Sequence, residues 1–183
     1  KLLRLRTNGI TNKQKFMNLN NIEDEQVWNY QQIELGFNFR LTDIQAALGI
    51  NQLKRLNKFI KERRKIALFY DKNLKNLPLT LPKQLTENYS SYHLYPVLLK
   101  KNSLNLTQKK FINLLKQNKI YVNLHYPPVH LQPFYRSLGF KVNDFIVAEK
   151  YFREVISLPL YSGLTKAQLN YIVKTIKKIF KYL

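Results

Sequence analysis

Asn38 and Arg40 stand two residues apart behind Gly36, just ahead of a segment that reads as the start of a helix. Glycine permits a sharp turn. The asparagine can donate its side-chain amide to an anion, and the arginine offers a bidentate fork. Polar groups delivered at a helix entry suit a phosphate-bearing ligand. The same residues also fit a plain helix-entry loop, in which Arg40 pairs with an acid and Asn38 caps the turn.

A second group is His125-Tyr126-Pro127-Pro128-Val129-His130. Two prolines cannot donate ladder hydrogen bonds, so a strand ending there leaves its sheet and swings its polar side chains outward. Histidine and tyrosine at such a corner can orient sugar hydroxyls or move a proton. A rim histidine beside a structural proline turn accounts for the pattern equally well.

Other chemistry is excluded or unsupported. The chain has no cysteine, which removes disulfides, thiolate metal sites and a cysteine nucleophile. Its three histidines, His93, His125 and His130, are too few and too weakly supported by carboxylates, so we expect no metal site. Five scattered glycines form neither a dinucleotide fingerprint nor a P-loop.

Lys54, Lys58, Lys61 and Lys65 recur at three and four, with Arg55, Arg63 and Arg64 nearby. The stripe could track a phosphate backbone, and the net charge of +20 would favour it. An apolar seam on the opposite side makes the solvated face of an amphipathic helix the better reading. Lysine, asparagine, isoleucine, tyrosine and phenylalanine are abundant together, as AT-rich codons favour, so the charge itself is a non-specific signal. We expect neither nucleic acid nor membrane as a partner; a basic nucleic-acid-binding module is the alternative.

These groups must be held by a chain of 183 residues, enough for one large domain or a small one with an appendage. Apolar residues make up 45% and are spread throughout, which argues against disorder. No apolar run approaches the ~18 residues of a membrane span, and no signal peptide opens the chain, so a cytoplasmic location is expected. The chain starts at Lys1 and its only methionine, Met17, lies in a polar stretch, so we expect a fragment or a processed product.

Leu2 to Arg6 reads as the last turn of a helix stopped near Gly9, and residues 10 to 29 as a surface loop with an acidic cluster at Glu23, Asp24 and Glu25. Thr42 opens a helix through a capping box with Gln45, with Asp43 in the first turn. Leu53, Leu56, Ile60, Ala67, Tyr70 and Leu74 continue it to about Leu77 as an apolar seam. At 1.5 Å per residue this is a rod of roughly 50 Å, ended by Pro78 and Pro82. Such a rod usually links two domains or lies along a subunit interface. Further on, strands are expected over His93–Leu99 and Ile120–Tyr126, with a short extended piece over Ile156–Tyr161. Helices are expected over Thr107–Asn118, Leu131–Leu138 and Asp144–Glu154, and a last one is capped by Thr165 with Gln168. Leu164 can staple onto Leu169. The fold class is α/β.

Leu35-Gly36-Phe37-Asn38-Phe39-Arg40, Thr42-Asp43-Ile44-Gln45-Ala46-Ala47-Leu48-Gly49 and Gln52-Leu53 resemble the DegT/StrS-type sugar aminotransferases, which are pyridoxal-phosphate enzymes of fold type I. Leu5-Arg6-Thr7-Asn8-Gly9-Ile10 is similar to the segment that follows their catalytic-lysine region. Val122-Asn123-Leu124-His125-Tyr126 to Leu131-Gln132-Pro133, Leu138-Gly139-Phe140 and Ile156-Ser157-Leu158-Pro159-Leu160-Tyr161 resemble the pseudaminic-acid branch. The resemblance runs over nearly the whole chain.

It implies that residues 1–41 are a remnant of the large PLP-binding domain, 42–77 the connecting helix, and 78–183 the small C-terminal domain. It implies transfer of an amino group from glutamate to the C4 keto group of a UDP-linked 4-keto-6-deoxy sugar, with pyridoxal 5'-phosphate as cofactor in a homodimer. Asn38 would reach the cofactor phosphate of the neighbouring subunit. Arg40, His125 and Tyr126 would line the substrate side, with His130 a further candidate. The cofactor lysine, the acid that pairs with the pyridine nitrogen and the ring-stacking aromatic belong to an upstream half. The chain by itself is therefore expected to be inactive.

Overall fold

The computed structural model describes residues 1–17, 30–100 and 106–182. The expected loop over 18–29, with its acidic cluster, lies outside them. The chain divides into two compact units, Lys1–Lys54 and Arg55–Leu183.

The first unit opens with α1 (Leu2–Leu5), whose end is turned by Gly9 at φ 72°. Two short strands follow, β1 (Ile10–Thr11) and β2 (Gln31–Gln32), paired antiparallel. β1 replaces part of the loop expected over 10–29; strands of two residues are too short to show alternation. Gly36 is required by close approach, since a Cβ there would collide with the backbone nitrogen of Gly9.

Helix α2 (Asp43–Leu74) spans both units. The expected capping box is present: the Thr42 amide donates to Gln45 Oε1 at 3.0 Å, and the Gln45 amide donates to Thr42 Oγ1 at 3.3 Å. The helix stops at Leu74, before the expected Leu77; Leu77 precedes Pro78, a position disfavoured in helical geometry. The seam is only half buried. Ala67, Tyr70 and Leu74 are fully enclosed, whereas Leu53 is 68% and Leu56 44% exposed. Lys54, Lys58, Lys61 and Lys65 are all exposed, as a solvated helix side requires.

In the second unit β3 (Leu79–Thr80), β4 (Tyr95–Leu99) and β5 (Val155–Leu158) form an antiparallel sheet in the order β3-β4-β5. Tyr95 faces Leu158 and Val97 faces Ile156 in the β4–β5 register. Helix α3 (Gln108–Gln117) begins at Thr107, whose hydroxyl accepts from the Lys110 amide. Two short turns of helix follow, a 3-10 turn at Val129–Leu131 and α4 (Pro133–Ser137), where one helix over 131–138 was expected; Pro133 takes the first helical position and splits them. Helix α5 (Ile146–Glu154) leads into β5. Helix α6 (Lys166–Lys181) carries the full capping box of Thr165 and Gln168.

The core joins the second half of α2, the inner residues of β4 and β5, and the apolar faces of α3 and α6. Phe111 and Phe180 stack across α3 and α6 with ring centroids 5.2 Å apart. Leu164 and Leu169 both belong to this core. The buried hydroxyls find partners: Tyr70 donates to the Pro159 carbonyl at 2.8 Å, and Tyr95 donates to Asp71. Burial pushes both phenols well above the ordinary tyrosine range.

Ile120–Tyr126 is not a strand. Among the described residues only Asn123 pairs, in an isolated bridge with Ser157. β-branched and aromatic residues favour an extended chain, but Pro127 and Pro128 remove the donors that would extend the ladder. Among the described residues no helix is long and apolar enough to cross a membrane.

Candidate functional site

The site residues expected from sequence fall in both units. In the first, Asn38 forms an isolated antiparallel bridge with Thr7. The Phe39 amide donates to the Arg6 carbonyl and the Asn8 amide to the Phe37 carbonyl, each at 2.9 Å. This pairing clamps the backbone around Asn38 while its side chain stays exposed, with no hydrogen-bond partner among the described residues. An amide held on a fixed backbone and left unpaired is available to an incoming acceptor.

Arg40 is exposed and makes no ion pair among the described residues. It lines an open cavity of about 800 Å³ together with Lys1, Arg4 and Lys13. Four cations around one cavity make it a place where anions collect. Phe16 and Tyr30 give the same cavity an aromatic wall. Among the described residues Arg4 is the one of these cations tied to an acid: its Nε donates to Glu34 Oε1 at 2.8 Å, and its guanidinium lies 4.8 Å from the Phe16 ring centre. That hydrogen bond holds the Glu34 carboxyl below its usual range.

In the second unit His125 and Tyr126 are brought together. Their peptide bond is cis, and their rings meet edge to face with centroids 4.7 Å apart. Tyr126 is 68% exposed. His125 is half-buried and bound at both ring nitrogens. Nδ1 lies 2.8 Å from Ser157 Oγ, and Nε2 lies 3.4 Å from Asn123 Nδ2. Ser157 is buried in β5, where its amide donates to the Asn123 carbonyl at 2.9 Å. His125, Asn123, Ser157, Tyr121 and His93 line a cavity of about 340 Å³. Arg63 NH1 lies 3.5 Å from His93 Nδ1, and its buried Nε has no partner among the described residues.

Sequence reasoning gave Ser157, His93 and Arg63 no part in the surroundings of His125. A serine inside the apolar run Val155–Leu158 was the available signal, since a hydroxyl in a fully buried strand needs a partner.

His130 is placed elsewhere. It is buried, and its Nε2 lies 3.0 Å from the buried Glu149 Oε1, which also accepts from the Asn143 amide at 2.7 Å. The hydrogen bond from His130 is the main reason the Glu149 carboxyl titrates below its usual range. This histidine ties α5 to the turn at Val129–Leu131.

Comparison with known proteins gives these groups a setting. Residues 2–177 match the model of the DegT/DnrJ/EryC1/StrS aminotransferase family. The UDP-4-amino-4,6-dideoxy-N-acetyl-beta-L-altrosamine transaminase of Campylobacter jejuni is 30% identical over 175 residues, covering 94% of this chain and 46% of that protein. Among solved structures, PseC of Helicobacter pylori, an aminotransferase involved in the biosynthesis of pseudoaminic acid, superposes with a TM-score of 0.82 at 27% identity. It covers all of this chain and 46% of its own. The putative sugar aminotransferase Spr1654 of Streptococcus pneumoniae in its PMP-form gives 0.83 at 28% identity, over 98% of this chain and 44% of that one.

The pneumococcal protein is also solved in a PLP-form, and pyridoxal phosphate is the cofactor of these sugar aminotransferases. The chain spans a little under half the length of the relatives it matches. With 176 of its residues inside the family model, the chain belongs to the DegT/DnrJ/EryC1/StrS aminotransferase family.

Proposed function

We propose that this chain is the C-terminal part of a fold type I nucleotide-sugar 4-aminotransferase. Residues 1–41 would close its large domain, 42–77 form its connecting helix and 78–183 its small domain. The complete enzyme moves an amino group from glutamate to the C4 keto group of a UDP-linked 4-keto-6-deoxy sugar of the pseudaminic-acid type. It does so in the cytoplasm as a homodimer. The observation that carries this reading is similarity along 94% of the chain to a transaminase named for such a sugar.

The donors present fit the phosphate end of the cofactor. The Asn38 amide is unpaired among the described residues and its backbone is clamped by the bridge to Thr7. Asn38 would donate to the cofactor phosphate of the neighbouring subunit. Pyridoxal phosphate, when bound, supplies the electron sink for moving the amino group. Arg40 adds charge toward the anionic part of the sugar nucleotide, and His125 and Tyr126 orient sugar hydroxyls.

Uncovered apolar surface supports a larger assembly. Ile44 is 83% exposed and Leu48 62% in α2. Phe134, Leu138, Ile146 and Val147 are exposed in the second unit. Patches of this kind are rare on a complete monomer and mark surfaces that other protein covers.

The test is amino transfer by the complete polypeptide, from glutamate to a UDP-4-keto sugar, followed by mass spectrometry of the sugar nucleotide. A UDP-4-amino sugar formed only with cofactor and glutamate present is the expected result. Turnover of amino acids and keto acids without any sugar product would contradict the reading.

A further inference from the structure

Ser157 sits on a buried strand, yet its hydroxyl meets a side chain at a cavity wall. Its Oγ lies 2.8 Å from His125 Nδ1, across 32 residues of sequence. Two proton arrangements satisfy this contact. Either the hydroxyl donates to an unprotonated Nδ1, with the imidazole proton on Nε2, or Nδ1–H donates to the hydroxyl oxygen and Nε2 keeps a lone pair.

Asn123 separates the two. Its Oδ1 accepts from the Leu124 amide at 2.8 Å, which fixes which end of the side-chain amide is oxygen. The NH2 end therefore faces His125 Nε2, at 3.4 Å. A proton on Nε2 would set donor against donor; a lone pair there accepts. The backbone bonds between Asn123 and Ser157 hold both partners to one frame.

We propose that Ser157 and Asn123 are positioning residues that hold the neutral form of His125 with its proton on Nδ1, so that Nε2 meets the cavity as a hydrogen-bond acceptor. The 3.4 Å contact with Asn123 is long, so a hydroxyl group in the 340 Å³ cavity can replace the amide and donate to the same lone pair. The site then selects a ligand that presents an O–H to His125 and rejects one that presents only an acceptor there. This last step rests on the reading of His125 as a substrate-side residue; the proton placement does not.

The test is nitrogen-15 NMR of the imidazole rings in the complete enzyme, at a pH well above the ordinary histidine range. His125→Gln identifies the His125 resonances. Expected is a pyrrole-like Nδ1 and a pyridine-like Nε2. Asn123→Ala removes the donor that separates the two tautomers and should shift their ratio roughly fivefold toward Nε2–H, as loss of one ordinary hydrogen bond implies. Asn123→Asp, which sets an acceptor against Nε2, should shift it at least as far.

A pyrrole-like Nε2 in the unaltered chain overturns the proposal whatever the variants do. So does a ratio unmoved by Asn123→Ala. Failure of the substrate-side reading is separate: in the complete enzyme, His125→Gln would leave the KM for the sugar nucleotide unchanged while the tautomer result stood.

Discussion

Glu149 Oε1 lies 3.0 Å from His130 Nε2, and the two side chains are 2% and 7% exposed. The same oxygen accepts from the Asn143 amide, and Arg153 approaches the other oxygen at 3.6 Å. A carboxylate taken out of water persists only when its oxygens are filled this way. Here the donors come from the segments on either side of α4 and from α5 itself. The pair therefore fastens a part of the second unit that has little apolar core of its own.

Acid should release this fastening. The Glu149 carboxyl titrates below its unfolded value, so its contribution is present above the unfolded carboxylate range and is lost as pH falls through the lower folded value. Denaturation midpoints measured across the acid range should fall more steeply for the unaltered chain than for Glu149→Gln. Parallel curves would contradict the assignment.

Base should weaken the core. Tyr70 and Tyr95 are both raised above the ordinary phenol range by burial, so their stabilising effect is present below that range and lost as pH rises beyond it. Tyr70→Phe leaves the Pro159 carbonyl without its donor and should cost about 1–3 kcal/mol in urea denaturation at neutral pH, with a shallower alkaline loss.

The two halves of the α2 seam should respond differently. Leu74→Ala opens a cavity in the core and should cost about 2–5 kcal/mol. Leu53→Ala removes an exposed side chain and should stay within about 0.5 kcal/mol in the dilute chain. Ile44→Asp should lower self-association of the complete enzyme, read by sedimentation, if that apolar face is covered by a second copy.

Removing the Thr165 cap should cost about 1 kcal/mol by thermal or chemical denaturation. Thr165→Ser should restore most of it, because the hydroxyl that accepts from the Gln168 amide is kept.

What could be read from the sequence was mostly local. The capping boxes at Thr42 and Thr165 join residues three apart, so spacing alone specifies their hydrogen bonds. The seam of α2 was legible as a pattern, but a pattern names the apolar face and not what covers it; Leu53 and Leu56 remain exposed. Ile120–Tyr126 has strand-forming side chains, yet pairing needs a neighbour, and only Ser157 meets it. The His125 environment was hidden for the same reason. Ser157 is 32 residues away and His93 lies on another part of the chain, so neither showed in the motif around the prolines. Asn38 and Arg40 were visible as chemistry from their types, whereas the bridge to Thr7 that clamps their turn was not.

Cofactor affinity of the complete enzyme, compared between the unaltered protein and Asn38→Ala, tests the central claim most directly. A hydrogen bond to a charged phosphate is worth about 1.5–3 kcal/mol, so the variant should release pyridoxal phosphate at least about tenfold more readily in equilibrium dialysis. Equal retention by the two proteins would contradict the account.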